Sequence, residues 1–158
     1  MSETTVTTDN RYMEFKLGDQ LYAIPLLTVK EVIPKPEVTP VPNMPVNFEG
    51  MINLRGQILG VYNVRKKLGA KSNEATSKQP AIIIIIEHLG VKVGMIVDEV
   101  TRVLHTEAAM IGPAPLKEDD PARHFIGSVI QTGGELILTV HVDQLLELDK
   151  FSNSQKAG

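Results

Sequence analysis

The chain has 158 residues, 42% of them hydrophobic and 22% charged, with a net charge of −3 and no cysteine. This length suits one domain of ordinary size, and the lack of cysteine excludes disulfides, thiolate metal sites and a cysteine nucleophile. The acidic balance and the scattered basic residues argue against nucleic-acid binding, which needs a concentrated positive surface.

The aliphatic composition favours β-strands. The chain contains 16 valines and 14 isoleucines but only seven aromatic residues. Because β-branched side chains are stiff and pack well on pleated surfaces, this bias favours strands over helices. Twelve glycines and ten prolines indicate short elements joined by tight turns. We therefore expect an all-β domain, since the long alternating helices of a parallel α/β fold are missing.

The two ends are predicted to be tails. Residues 1–10 are polar and lack the basic and apolar regions of a secretory signal, and residues 151–158 are also polar. Residues 70–80 show no periodicity and are predicted to form an exposed loop inside a domain that spans 11–150. The longest apolar run, 81–86, is far short of the roughly 20 residues that cross a bilayer, so no membrane insertion is expected.

The first half of the chain shows strand patterns and one helical pattern. Residues 12–17 alternate between apolar and polar, and a turn at Gly18-Asp19 leads into a strand over 20–24. Residues 26–32 have helical spacing, which the flanking prolines confine to about two turns, so a short helix is predicted there. Two apolar runs, 50–54 and 57–64, follow and predict strands joined by a turn.

The second half of the chain adds further strands and one helix. The run 81–87 is continuously aliphatic, which is expected of a strand covered on both faces, and a turn leads from it into a strand over 91–97. Residues 126–131 and 136–140 flank a Gly-Gly turn and predict a hairpin. A last helix is predicted over 143–148, with Asp143 as its N-cap.

The sequence carries no recognisable catalytic or metal-binding pattern. The four histidines, His88, His105, His124 and His141, lack the spacing of metal ligands, and no nucleophile elbow or phosphate-binding glycine loop is present. We therefore predict no enzyme, metal or cofactor. Two alternatives stay open at this stage. An unrecognised enzyme would need a deep pocket of groups with shifted pKa values, and a nucleic-acid-binding barrel would need basic tracks with exposed aromatics.

Arg55 is the most conspicuous polar residue between the predicted strands. It occupies a Leu-Arg-Gly turn between two apolar runs. It is either a solvated turn residue, or its planar guanidinium holds a carboxylate across a groove, for which Glu31 is the nearest candidate by residue type. The sequence leaves both interpretations open.

Taken in order, the motifs from residue 12 to residue 148 resemble the CheW-like coupling proteins of bacterial chemotaxis. The segments that carry the resemblance are Phe15-Lys16-Leu17-Gly18-Asp19-Gln20-Leu21-Tyr22, Val29-Lys30-Glu31-Val32, Gly50-Met51-Ile52-Asn53-Leu54-Arg55-Gly56, Val93-Gly94-Met95-Ile96-Val97-Asp98-Glu99-Val100 and Ile126-Gly127-Ser128-Val129. The resemblance implies two small five-stranded SH3-like β-barrels that share a hydrophobic core, with few short helices and no active site or cofactor.

The resemblance also implies a role and partners. Such proteins are non-enzymatic adaptors that couple the cytoplasmic tips of transmembrane chemoreceptors to the regulatory domain of a CheA-type histidine kinase and help to build the receptor–kinase array. It implies a cytoplasmic protein recruited to membrane-associated arrays. The alternative within the family is a scaffold of a pilus-motility or other chemosensory-like pathway.

By analogy, two sets of residues are expected to contact partners. The receptor would lie in a groove between the barrels, lined by Val29, Glu31, Val32, Asn53, Arg55, Val100 and Val103. The kinase would contact a loop formed by Pro113, Ala114, Pro115 and Leu116. The alternative interpretation of Val29, Val100 and Val103 is that they are ordinary core residues.

Overall fold

A computed structural model describes residues 10–44, 47–68 and 81–146 of the chain. The predicted tails, apart from Asn10, and the predicted loop over 70–80 lie outside these ranges. Within the described ranges, no helix is both long enough and apolar enough to span a membrane.

The described residues are mostly strands, which confirms the predicted all-β class. The strands are β1 (Arg11–Leu17), β2 (Gln20–Pro25), β3 (Val29–Pro34), β4 (Phe48–Leu54), β5 (Gln57–Asn63), β6 (Ile82–His88), β7 (Val91–Val97), β8 (Glu99–His105), β9 (Ile111–Pro113), β10 (Ile126–Thr132) and β11 (Glu135–Val140). Two one-turn helices, α1 (Arg65–Leu68) and α2 (Val142–Leu145), follow β5 and β11.

The strands form two barrel-like sheets. One sheet has the order β8-β1-β2-β11-β10-β9, and the other has the order β3-β6-β7-β5-β4. The three-residue strand β9 makes the first sheet six-stranded, one strand more than the five expected. Each sheet contains one parallel pair, β2 with β11 in the first and β5 with β7 in the second.

The two sheets repeat one topology. The order β3-β6-β7-β5-β4 of the second sheet corresponds to β8-β1-β2-β11-β10 of the first, and each corresponding pair of neighbours runs in the same relative direction. The order of the strands along the chain is circularly permuted between the two sheets. Strands β1 and β2 of the first sheet precede the whole second sheet, and β8–β11 follow it. The six-stranded sheet is therefore formed by strands from both ends of the described chain.

The five-stranded sheet is closed by the chain that follows β3. Thr39 and Met51 exchange two backbone hydrogen bonds of 2.8 Å, so the extension of one edge strand pairs with β4 at the other edge. This bridge leaves less of the sheet edge unpaired, where another chain could otherwise add a strand.

Strand β6 is covered on both faces, as its continuous aliphatic sequence predicted. Ile83 and Ile85 point into the five-stranded sheet, where they pack in a cluster with Val61. Ile84 and Ile86 point the other way, into a larger cluster that also contains Phe15 of β1. We call this larger cluster, which combines residues of both sheets, the shared core.

The helix predicted over residues 26–32 is wrong. Leu26–Thr28 forms a single 3-10 turn, and Val29–Pro34 is strand β3, paired antiparallel with β6. Two prolines leave too few residues for a stable helix, and the β-branched residues between them gain more by pairing with the isoleucines of β6.

The final predicted helix is shorter and differently capped. It spans Val142–Leu145, with His141 rather than Asp143 at the N-cap position and no side-chain capping hydrogen bond. Asp143 lies in the first turn, where a carboxylate is favourable next to the helix N-terminus. Residues 147 and 148 of the prediction lie outside the described residues.

Replacing Ile84 by Asp is expected to unfold the protein. Ile84 is fully buried in the shared core, where a carboxylate would have no cation or donor, so we expect a loss of at least about 4 kcal/mol. Urea denaturation followed by circular dichroism measures this loss. The matched control is Ile58→Asp, because Ile58 is 60% exposed and its replacement should change stability little. Equal stability of the two variants would contradict the burial of β6.

Candidate functional site

The turn between β4 and β5 places Arg55 in an unusual backbone conformation. Arg55 has φ 50° and Gly56 has φ 89°, whereas the corresponding turn of the other sheet is built from Gly133 (φ 57°) and Gly134 (φ 82°). A residue with a Cβ in this left-handed region costs about 1 kcal/mol relative to glycine. Such conformations concentrate at functional sites, so an arginine in this position is a candidate for function.

Arg55 forms a two-pronged ion pair with Glu31 of β3. Its Nη1 and Nη2 donate to Oε2 and Oε1 of Glu31 at 3.0 and 2.5 Å. The pair joins the two edges of the five-stranded sheet, since β3 is one edge and the β4–β5 hairpin is the other. The carboxylate-binding interpretation of Arg55 is therefore the one that the structure shows.

The ion pair is fixed in its charged state at neutral pH. The hydrogen bond from Arg55 is the main cause that lowers the pKa of Glu31, and the positive charges of Arg55 and Lys92 act in the same direction. The same hydrogen bond raises the pKa of Arg55. Because both side chains reach the surface, with exposed fractions of 69% for Arg55 and 31% for Glu31, the pair contributes little to stability.

Asn53 stabilises the turn that carries Arg55. Its Oδ1 accepts a hydrogen bond of 2.9 Å from the backbone N–H of Gly56. Asparagine side chains commonly fix turns in this way. The predicted receptor-contact residue Asn53 therefore acts within its own turn, and its side chain is exposed beside Arg55.

A β-bulge brings Val29 and Val32 to one face of β3. Residues three positions apart lie on opposite faces of a regular strand, but the register shifts between Val29 and Glu31. Val29 consequently lies opposite Ile86, and Val32 lies opposite Ile84, both of which point into the shared core. Val29 is half-buried against that core, and Val32 is 37% exposed.

A second β-bulge does the same on β8. The register shifts opposite Glu14 and Phe15, so Val100 lies opposite Phe15 and Val103 lies opposite Met13. Val100 is half-buried against the shared core, whereas Val103 is 43% exposed. The core interpretation is therefore partly right for Val29 and Val100 and wrong for Val103.

The seven predicted receptor-contact residues lie in three places. Val29, Glu31 and Val32 lie on β3 rather than on a helix, Asn53 and Arg55 lie at the β4–β5 turn, and the remaining two lie on β8. The structure joins the first two places through the Arg55–Glu31 pair. The third place, β8, is connected to the other two through the shared core, against which Val29 of β3 and Val100 of β8 both pack.

The predicted kinase-contact loop alternates between inward and outward side chains. Pro113 and Pro115 are exposed, while Ala114 and Leu116 are half-buried against the shared core. Arg123 donates a hydrogen bond of 2.8 Å from Nη1 to the backbone oxygen of Leu116. The loop thus presents its prolines on an anchored backbone.

Sequence reasoning missed three charged residues next to β8. Glu14 is 3% exposed, and its carboxylate contacts the Thr101 hydroxyl and the guanidinium of Arg102, which also binds Glu135. A short internal repeat is a signal that could have revealed Arg102, but not Glu14 or Glu135. Val29-Lys30-Glu31-Val32-Ile33 and Val100-Thr101-Arg102-Val103-Leu104 share the pattern Val-x-x-Val-aliphatic.

A small cleft lies at the junction of the two sheets. It has a volume of about 110 Å³ and is lined by residues that include Ile86, His88, His141 and Asp143. This cleft is smaller than the roughly 300 Å³ of pockets for metabolite-sized ligands. A more open depression of about 340 Å³ lies over the Gly133-Gly134 turn, between Gln131 and Leu136. Among residues 10–44, 47–68 and 81–146, no group of three histidines or carboxylates is placed to hold a metal ion.

Comparisons with known proteins point to one family. Residues 11–150 match the model of the CheW-like domain. Chemotaxis protein CheW of Rhizobium meliloti is 31% identical over 83% of both chains. Protein PilI of Pseudomonas aeruginosa is 30% identical over 58% of this chain and 50% of its own. The crystal structure of the scaffolding protein TtCheW from Thermoanaerobacter tengcongensis superposes with a TM-score of 0.76 at 30% identity, covering 89% of this chain and 94% of that one.

Backbone strain at Arg55 can be measured with two substitutions. Arg55→Ala and Arg55→Gly both remove the ion pair, but only glycine accepts φ 50° without a penalty. We therefore expect Arg55→Gly to be more stable than Arg55→Ala by about 1 kcal/mol in urea denaturation. An alanine variant at least as stable as the glycine variant would contradict the left-handed conformation of this residue.

The pKa of Glu31 is expected to lie below its usual range and to return towards it in Arg55→Ala. A carboxyl pKa lowered by folding contributes stability above its ordinary pKa, and this contribution is lost as the pH falls through the lowered value. Titration of the Glu31 carboxyl carbon by NMR measures both values. Identical titration in the two proteins would show that the ion pair does not persist in solution.

Proposed function

The chain belongs to the CheW-like family, and from this premise we propose that it is a non-enzymatic adaptor of chemotaxis signalling. Its proposed partners are the cytoplasmic tips of chemoreceptors and the regulatory domain of a CheA-type histidine kinase. We place it in the cytoplasm, recruited to membrane-associated receptor arrays that it helps to assemble.

The Arg55–Glu31 pair is the observation that carries the proposal. It is exposed, oriented by two hydrogen bonds and held on a strained turn, although an exposed ion pair adds little stability. The exposed Val32 directly follows Glu31 on the edge strand β3. An apolar surface with one oriented polar group suits a helical partner, because the apolar contact supplies affinity and the polar group sets the register.

The kinase is proposed to use a different surface. The loop of Pro113, Ala114, Pro115 and Leu116 presents its two prolines outward and is tied to the shared core by its other two residues. Because this backbone is already ordered, a partner would lose little conformational entropy on binding it. An adaptor needs two separate surfaces to hold two partners at once, and this loop and the Arg55–Glu31 pair are our candidates.

A second candidate function is a scaffold in a pilus-motility or other chemosensory-like pathway. The similarity to Protein PilI favours it, but that match covers 58% of this chain, against 83% for the chemotaxis protein of Rhizobium meliloti. Both candidates use the same kind of adaptor, so they differ in the receptor and kinase to which the chain binds.

Binding to both partners tests the proposal. The purified chain is titrated with a receptor cytoplasmic fragment and with a kinase regulatory domain from the same organism, and we expect micromolar or tighter binding to both. Arg55→Ala should lower the affinity for the receptor fragment about tenfold, as expected for a central polar contact, and leave the affinity for the kinase domain within about twofold.

Gln57→Ala is the matched control, because Gln57 is an exposed polar residue next to the same turn. It should bind both partners like the unaltered chain. Failure of the unaltered chain to bind any such kinase domain would move the function to another signalling partner. Loss of both partners by Arg55→Ala, together with loss of the folded state in circular dichroism, would make Arg55 a structural residue instead.

A further inference from the structure

A second ion pair joins the edge strand β8 of the six-stranded sheet to its β10–β11 hairpin, much as the Arg55–Glu31 pair joins β3 to the β4–β5 hairpin. Strands β3 and β8 correspond in the repeated topology, and each carries one β-bulge between two valines. Superposition of the two registers places Arg102 at the position of Glu31 and Glu14 at the position of Ile85.

Arg102 lies between a buried and an exposed carboxylate. Its Nη2 donates to Oε1 of Glu135 at 3.0 Å, and its Nε lies 3.3 Å from both carboxylate oxygens of Glu14. The exposed fraction is 48% for the Arg102 side chain and 51% for Glu135, but only 4% for Glu14. The buried Glu14 thus fixes the guanidinium of Arg102 on one side, while the other side remains exposed to solvent.

The two ion pairs have a similar architecture with reversed charges, but their hairpin partners differ by two positions, because Glu135 corresponds to Gln57 rather than to Arg55. Glu135 begins β11 directly after the Gly133-Gly134 turn, which corresponds to the Arg55-Gly56 turn. Each pair therefore joins an edge strand to a hairpin of the same sheet. The two strands correspond to each other in the repeated topology, and so do the two hairpins. The strand supplies the carboxylate in the five-stranded sheet and the guanidinium in the six-stranded sheet.

We propose that Arg102 and Glu135 form a second polar anchor for the same helical receptor segment, an inference that rests on the proposed function. On each strand the inner valine packs against the shared core, and the exposed outer valine directly follows the ion-pair residue, which lies on the opposite face of this edge strand. A segment that contacts both strands meets a glutamate on β3 and an arginine on β8, each in an ion pair whose charges are arranged in the reverse order of the other. Complementary charges on the segment then fit in one direction, whereas the reverse direction opposes like charges.

Glu14 is the positioning residue for this anchor. A buried carboxylate is costly unless it is paired and hydrogen-bonded. Its partners are the hydroxyl of Thr101 and the guanidinium of Arg102, which are the two residues of the bulge that lie opposite it. The requirement to satisfy Glu14 therefore holds the bulge and Arg102 in place.

The test removes the second anchor without leaving an unpaired buried charge. Glu14 and Arg102 are replaced together (E14Q/R102Q), because Arg102→Gln alone would isolate the carboxylate of Glu14. Glu135→Gln removes only the exposed partner and keeps the contact between Arg102 and Glu14. Lys117→Gln is the control, since it removes one charge at an exposed position outside both strands.

Each variant is titrated with the receptor cytoplasmic fragment and with the kinase regulatory domain, and its melting temperature is measured. We expect E14Q/R102Q to lower the affinity for the receptor fragment about fivefold and Glu135→Gln to lower it about twofold, with kinase affinity unchanged. Lys117→Gln should leave receptor affinity unchanged. If E14Q/R102Q does not fold, Glu135→Gln alone decides the outcome.

Two results overturn this inference while leaving the proposed function in place. One is a loss of receptor affinity in Arg55→Ala with none in E14Q/R102Q or Glu135→Gln, which would show that the receptor does not contact the second anchor. The other is an equal loss for receptor and kinase in E14Q/R102Q with a lower melting temperature, which would indicate general destabilisation. Unchanged receptor affinity in all variants, including Arg55→Ala, would instead overturn the proposed receptor site and this inference with it.

Discussion

The two-sided burial of β6 is the constraint on which the rest of the structure depends. Alternate isoleucines of this strand, such as Ile83 and Ile84, belong to two different apolar clusters, one inside the five-stranded sheet and one between the sheets. A polar side chain at these positions would lie in an apolar environment on either face. The same strand pairs with β3 and thereby sets which residues of β3 face the shared core. The position of the candidate site follows from this packing.

The repeated topology explains why the candidate site has two related sides. Strands β3 and β8 correspond in the two sheets, and each contains a β-bulge that turns two valines, three positions apart, to one face. Without the bulges, one valine of each pair would point away from the shared core. The bulge on β8 is fixed by the buried carboxylate of Glu14, whereas the bulge on β3 lies opposite the apolar Ile85. The same bulged geometry is thus stabilised by polar contacts on β8 and lies against an apolar side chain on β3.

The charged residues of these strands serve orientation more than stability. Both ion pairs reach solvent, where such contacts add little to the free energy of folding. Arg55 also adopts a backbone conformation that the corresponding hairpin gives to glycine, at a cost in stability. Residues held at such a cost fit a surface selected for recognition, and this agrees with membership of a family that includes scaffolding proteins.

The local pattern of the sequence determined the fold class, most strands and the four glycine-containing hairpin turns of the described residues, because strand periodicity and turn chemistry are encoded in neighbouring residues. It also singled out Arg55 and suggested Glu31 as its partner. Only the tertiary structure decided that residues 29–34 form a strand, since pairing with β6 outweighs their short helical spacing. It alone placed Arg102 between Glu14 and Glu135, which are separated by more than 30 positions from it in the chain. Cross-strand register and bulges arise from long-range pairing, and no single stretch of sequence specifies them.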